Sequence, residues 1–210
     1  MQTNLHVLGI DEAGRGPVIG PMTVCGVLAI ARNVHRFVSC GVKDSKMLSA
    51  SRREKLQPLI HQIAEGWRTI EISSTQIDND GLTEPQLMAI VGLIHDFKPD
   101  IAIIDAPTSK PDAYRRRLRE IIGHNGVQLI VENKADVNYP VVAAASILAK
   151  LARDKWVQNL SLQYGNIGSG YPSDKKTISF LREYVEANHR LPDMVRTRWV
   201  TAKRLMQTHR

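Results

Sequence analysis

Three short apolar runs in this chain each lead into a carboxylate, and that pattern limits the available folds more than any other feature. Residues 5–11 end in Asp11 and run straight into Glu12. Residues 99–105, Pro99-Asp100-Ile101-Ala102-Ile103-Ile104-Asp105, end in a second acid. Residues 127–131 lead through Glu132-Asn133-Lys134 to Ala135-Asp136. Each run has the length and the β-branched content of a strand. Residues 21–31 are apolar almost throughout, which predicts a strand covered on both faces, and residues 67–73 alternate like another strand. Helical spacing marks residues 49–64, with Ser49 as a cap and Leu56, Leu59, Ile60 and Ile63 inward, and residues 82–97, with Leu87, Ile90, Val91 and Ile94. Pro140 can open a further helix to about residue 160, where its missing N–H costs nothing. Three hairpin-like strands followed by alternating helix and strand predict an α/β domain with a mixed sheet flanked by helices. After a glycine-rich loop at residues 165–174, helices over about 174–188 and 194–207 form a C-terminal helical region.

Asp11, Glu12, Asp105 and Asp136 therefore fall at or just after strand ends, where open α/β sheets gather their ligands. Side chains alternate along a strand, so Asp11 and Glu12 reach one site together only if the chain turns there. Four converging carboxylates repel unless cations lie among them, and an all-carboxylate set selects Mg2+ or Mn2+ over zinc. Two such ions ~3.5–4 Å apart suit the hydrolysis of a phosphodiester. The turn that follows, Gly14-Arg15-Gly16, can bring backbone N–H groups close to a ligand and adds a guanidinium fork suited to phosphate. For an isolated Asp-Glu-x-Gly, a strand–turn boundary with solvated acids is the favoured reading. Recurrence of acids at strand ends tells against it.

Charge points the same way: 28 lysines and arginines against 21 acids give +7, which fits a polyanionic partner but does not identify one. The run from Arg115 to Arg119 reads as a solvated helix face. Cys25 and Cys40 lack metal-type spacing and read as reduced residues, although two cysteines leave a disulfide open. The start has no cationic and apolar leader pattern, and no apolar run approaches the ~18 residues of a membrane span. A cytoplasmic, monomeric protein with no membrane partner is the expectation.

More specific is a set of motifs taken together. Gly9-Ile10-Asp11-Glu12-Ala13-Gly14-Arg15-Gly16-Pro17 resembles the N-terminal motif of ribonuclease HII, the type 2 ribonucleases H. So do Lys43-Asp44-Ser45-Lys46 with Leu48, the strand-ending Asp105, Lys134-Ala135-Asp136, and Pro140-Val141-Val142 followed by Ala144-Ala145-Ser146-Ile147-Leu148-Ala149-Lys150 and Arg153-Asp154. Gly168-Ser169-Gly170-Tyr171-Pro172-Ser173-Asp174 resembles the archaeal and eukaryotic branch. The resemblance runs in order from about residue 7 to 200. It implies an RNase H-like fold, with a catalytic domain at residues 1–165 and a helical region at 166–210 packed on it and contributing to substrate binding. It implies an endonuclease that hydrolyses the RNA strand of RNA/DNA hybrids and cuts at ribonucleotides embedded in duplex DNA, as in ribonucleotide excision repair. The chemistry it implies is two-metal, with Mg2+ or Mn2+, giving 3′-hydroxyl and 5′-phosphate ends. Asp11, Glu12, Asp105 and Asp136 map onto the catalytic metal ligands. Gly14, Arg15, Gly16, Lys46, Lys150 and Tyr171 map onto substrate contacts. Met47 stands where many relatives have a second basic residue. The ending, Arg204-Leu205-Met206-Gln207-Thr208-His209-Arg210, lacks the glutamine-and-aromatic peptide with which many archaeal relatives dock on the sliding clamp, so clamp binding is not expected. A different RNase H-like nuclease and a non-catalytic hybrid-binding protein are the rival readings.

Overall fold

The apolar runs become the strands of one sheet. The computed structural model describes residues 4–43, 45–124 and 126–207. Among them the strands are β1 (His6–Ala13), β2 (Met22–Ile30), β3 (Gly66–Ile72), β4 (Ile101–Asp105) and β5 (Gln128–Glu132), in the order β3-β2-β1-β4-β5. β1 runs parallel to β4, from Val7↔Ile101 to Ile10↔Ile104, and β4 runs parallel to β5 as far as Asp105↔Glu132. Parallel neighbours need crossover connections. The helices that supply them follow the expected order in a mixed, RNase H-like arrangement. They are α1 (His35–Ser39), α2 (Ala50–Ile63), α3 (Ser74–Asp80), α4 (Thr83–Phe97), α5 (Pro111–Ile122), α6 (Ala135–Asn138), α7 (Pro140–Tyr164), α8 (Lys175–Asn188) and α9 (Val200–Gln207). None is long and apolar enough to cross a membrane, among the described residues.

The chain forms two compact units, one from residues 1–13, 24–70 and 86–151, the other from residues 14–23, 71–85 and 152–210. In the first, Phe37, Leu56, Ile60 and residues 141–149 of α7 pack against Val7, Cys25, Val27, Ala29 and Ile103 of the sheet. On the opposite face α4 approaches so closely that a Cβ at Gly26 would lie 3.3 Å from both Leu8 and Leu93. Covered on both sides, β2 is buried from Met22 to Ala29, as its apolar run predicted. Burial pushes the Cys25 thiol up to about 12, while Cys40 is half-buried, and neither forms a disulfide. In the second unit Val18, Ile19, Ile167, Leu181, Met194, Val195, Ala202 and Leu205 form a separate core. Residues 166–210 hold α8 and α9 and belong wholly to this unit, which also draws on three earlier stretches.

Several expected boundaries move. β1 does not turn at Asp11 but continues to Ala13, beyond the end of its ladder with β4. The last helix begins at Val200 rather than 194, because residues 194–196 spend their backbone groups elsewhere. Val195 bridges Ile19, the Arg196 N–H donates to the Val18 carbonyl, and the Met194 carbonyl accepts from Gly20. α3 was not anticipated in its polar sequence. It is capped by the Ser73 hydroxyl, which accepts the Gln76 N–H, and it ends at Gly81 with φ +79°.

Candidate active site

Three elements of the first unit, β1, β4 and α6, carry the acids. Just past the last ladder pair at Ile10, Asp11 is buried and Glu12 half-buried, and the Glu12 N–H donates to Asp11 Oδ1 at 2.7 Å. Asp105 ends β4, and its Oδ1 accepts the Ala135 N–H at 2.7 Å. Asp136 lies in the first turn of α6, which starts after Lys134 in the left-handed conformation (φ 60°). The side-chain amide of Asn133 staples the two loops by donating to the Ala106 and Thr108 carbonyls, at 3.0 and 2.7 Å. Tyr139 donates to Glu132 at 2.9 Å, which gives that acid a structural role outside the set of four.

Lys46 sits on the short 3-10 turn Ser45–Met47. Arg53 fixes that turn by donating to the Ser45 and Leu48 carbonyls. The buried Ser45 hydroxyl is 2.8 Å from that of Ser146 on α7, and Ser146 in turn hydrogen-bonds the Asp11 carboxylate. Lys46 Nζ then lies 3.5 Å from Asp136 Oδ2. Lys150 is half-buried, one helical turn beyond Ser146. Of the Lys43-Asp44-Ser45-Lys46 motif, Asp44 lies outside the described residues.

The electrostatics bear on whether a cation fits. Asp11 is 5% exposed and Asp136 3%. Burial, and then the charges of Glu12 and Asp105, drive the Asp11 carboxyl well above the usual range, against the Ser146 hydroxyl. Burial and the Asp136 charge also raise Asp105, against the Ala135 N–H and Lys46. Asp136 Oδ2 is buried and takes no hydrogen bond among the described residues. Crowded, partly buried carboxylates and a buried carboxylate oxygen that takes no hydrogen bond are what a hard divalent cation relieves. The donors are all oxygens, so the set fits Mg2+ or Mn2+ better than zinc. Among the described residues no three acids, histidines or cysteines stand at ligating spacing.

The other singled-out residues belong to the second unit. Gly14 has φ +92°, and a Cβ there would come 2.8 Å from the Pro21 carbonyl oxygen, so only glycine fits. Gly16 is exposed, and a Cβ there would only touch the Tyr171 ring at 3.6 Å. The glycine-rich loop around Tyr171 is tied down by Asp174, which accepts the Ser169 and Lys176 N–H groups. Those donors, the Ser169 N–H first, hold the Asp174 carboxyl below its usual range. Thr177 adds a bond from the Gly170 N–H and one to the Ile167 carbonyl.

Two arginines, Arg153 of the quoted motif and Arg196, take buried roles that the sequence did not assign. Arg153, 2% exposed, lies 5.0 Å under the Tyr171 ring and donates to the Ser169 carbonyl at 2.7 Å. Arg196, fully buried, donates to the carbonyls of Gly14, Arg15 and Gly20. Neither carries a local signal, because the groups they bind are distant in sequence.

Comparisons with known proteins place the chain in a family. The family model for ribonuclease HII matches residues 8–202. The ribonuclease HII of Methanothrix thermoacetophila is 41% identical over 204 residues, covering 95% of this chain and 96% of that protein. The crystal structure of ribonuclease H2 from Pyrococcus horikoshii OT3 superposes with a TM-score of 0.91 at 34% identity, covering 97% of this chain and 98% of that one. The PCNA:RNase HII complex of Archaeoglobus fulgidus contains a chain matching with a TM-score of 0.85 at 39% identity, over 95% and 96% of the two. This chain belongs to the ribonuclease HII family, and with it to the ribonucleases H, hydrolases that act on RNA/DNA hybrids.

Proposed function

We propose that the chain is a metal-dependent endonuclease that cuts the RNA strand of hybrids and also cuts at single ribonucleotides in duplex DNA. The observation that carries this reading is the cluster of interacting acids, Asp11 and Asp136 buried and Glu12 and Asp105 half-buried, with Asp136 Oδ2 taking no hydrogen bond and Lys46 beside it. Asp11, Glu12, Asp105 and Asp136 hold the cations. When bound, two Mg2+ or Mn2+ ions supply activation of the attacking water and stabilisation of the leaving oxygen. The chain's own groups do the rest. Ser146 and the Glu12 N–H orient the Asp11 carboxylate, and the Ala135 N–H orients that of Asp105. Lys46 balances charge at Asp136, and Lys46 and Lys150 hold phosphates of the duplex. The backbone of Gly14-Arg15-Gly16 and the Tyr171 hydroxyl contact the ribose, whose 2′-hydroxyl distinguishes a ribonucleotide from its DNA neighbours. The Archaeoglobus relative is paired with PCNA in its solved complex, so a sliding clamp stands as a candidate partner, against the expectation from the C-terminal residues. That expectation rests partly on residues 208–210, outside those described.

The test is a labelled DNA duplex carrying one ribonucleotide, incubated with Mg2+ and the wild type or Asp136→Asn. An amide keeps the shape but not the charge that holds Mg2+. Cleavage by wild type, leaving 3′-hydroxyl and 5′-phosphate ends, should fall by about two orders of magnitude or more in the variant. Binding of the duplex in Ca2+ should persist. Near-normal turnover by Asp136→Asn would remove this residue from the metal site.

A further inference from the structure

A polar assembly of the second unit grips the carbonyls of the Gly14-Arg15-Gly16 turn. Arg196 Nη2 donates to the Gly14 carbonyl at 2.6 Å, Nη1 to that of Arg15 at 2.8 Å, and Nε to that of Gly20 at 2.9 Å. Trp199 Nε1 donates to the Gly16 carbonyl at 3.3 Å, and its ring lies 5.0 Å from the Arg196 guanidinium. This clamp is itself anchored. The Asp78 carboxylate accepts from the Thr197 N–H and hydroxyl and from the Arg198 N–H, at 2.7, 2.8 and 3.2 Å. Burial depresses the Arg196 guanidinium to about 10, and a buried charge is costly unless its donors are well used. Here every nitrogen of the fork reaches a backbone carbonyl.

Peptide geometry gives that grip a consequence. In a trans peptide the carbonyl of one residue and the N–H of the next point in opposite directions, and no peptide bond here is cis among the described residues. Drawing the Gly14 and Arg15 carbonyls toward the guanidinium therefore turns the Arg15 and Gly16 N–H groups away from it. The Gly16 carbonyl, held by Trp199, precedes Pro17, which has no N–H. Successive amides turned the same way make a concavity for an oxygen ligand, and Gly16 is exposed.

We propose that Arg196 and Trp199 are positioning residues for ribose recognition: by holding three carbonyls they aim the Arg15 and Gly16 amides at the 2′-hydroxyl of the bound ribonucleotide. The proposal rests on the reading that this turn contacts the ribonucleotide. Selectivity for the ribose then depends on the clamp, although neither side chain of the clamp touches the substrate.

The experiment measures, in Ca2+, the Kd of the full chain for a duplex with one ribonucleotide and for the matched all-DNA duplex. Wild type, Arg196→Lys and Trp199→Phe are compared, with the melting temperature of each. A lysine is a single compact charge that does not span three carbonyls. Phenylalanine keeps the ring over Arg196 and loses only one donor. The preference for the ribonucleotide duplex should shrink by about fivefold or more in Arg196→Lys and about twofold in Trp199→Phe, with all-DNA affinity unchanged. Equal weakening on both duplexes, or an unchanged preference in both variants, overturns the clamp. If Arg196→Lys melts below the assay temperature, Trp199→Phe decides alone. A wild type with no preference overturns the underlying reading of the turn, and the clamp proposal with it, and that result is distinguishable from the other two.

Discussion

Tyr171 combines two jobs that a pair of substitutions separates. Its ring covers the Arg153 guanidinium, which burial pushes below its usual range and which Tyr171 and Asp154 support. Its hydroxyl is the part proposed to meet the ribose. Tyr171→Phe keeps the ring on Arg153 and should leave the melting temperature unchanged. It should lose about 1–3 kcal/mol of transition-state stabilisation, as expected for one unsatisfied buried hydrogen bond. Tyr171→Ala should lose more rate and some stability, because Arg153 is uncovered. Cleavage of a one-ribonucleotide duplex beside thermal melting checks both, and matched losses of rate and stability in the two variants would make Tyr171 purely structural. The tyrosine was legible because its glycine-rich loop matches a motif. Its support was not, since Arg153 stood in a motif with no role attached, and its bond to the Ser169 carbonyl at 2.7 Å joins separate elements. The acids were legible for the opposite reason: each follows its own apolar run, so local sequence carries the signal. Arg196 is separated from Gly14 by 182 positions, and no periodicity reports a bond of that kind.

Among the elements, the approach of α7 to β1 sets the surroundings of Asp11. A Cβ on Gly9 would fall 2.4 Å from the carbonyl carbon of Val141, in the first turn of α7, so the helix can lie this close only over a glycine. The same helix carries Ser146 to the Asp11 carboxylate. Gly9→Ala must therefore push backbone from backbone, which no rotamer change relieves. Overpacking costs about 1–3 kcal/mol, occasionally more. Melting should drop accordingly, and residual activity should need more Mg2+ for half-maximal rate, because Ser146 moves off Asp11. An unshifted melting curve would show that the helix has room to give. Pro140 and the small residues behind it made α7 readable from the sequence. The start of α9 was misread, because Met194, Val195 and Trp199 have spacing compatible with a helix. Their segment instead gives its hydrogen bonds to residues 18–20, a non-local competitor invisible in a window of sequence.

The charge of the molecule as a whole is divided unevenly: a net +7 chain keeps a knot of acids in its sheet unit, two of them buried and two half-buried. The positive excess favours a polyanion, while the acid knot, taken without cations, opposes folding. Metal that binds the folded state alone should stabilise it by mass action, by about 2.7 kcal/mol at a hundredfold excess over Kd. For a chain of this size each kcal/mol moves melting by roughly 2–4 °C, so saturating Mg2+ should raise the melting temperature by about 5–10 °C. Asp105→Asn separates charge from shape. An asparagine Oδ1 still accepts the Ala135 N–H, so the staple between β4 and α6 survives while one negative charge goes. Without metal, that variant should melt higher than the wild type, since it relieves repulsion with Asp11 and Asp136. With Mg2+, its gain should be smaller than the wild type's, because a ligand has been lost. The two shifts have opposite signs and one cause. A wild-type curve that Mg2+ does not move, or an Asp105→Asn variant less stable without metal, would mean that the acids are held apart by the fold rather than by their charge.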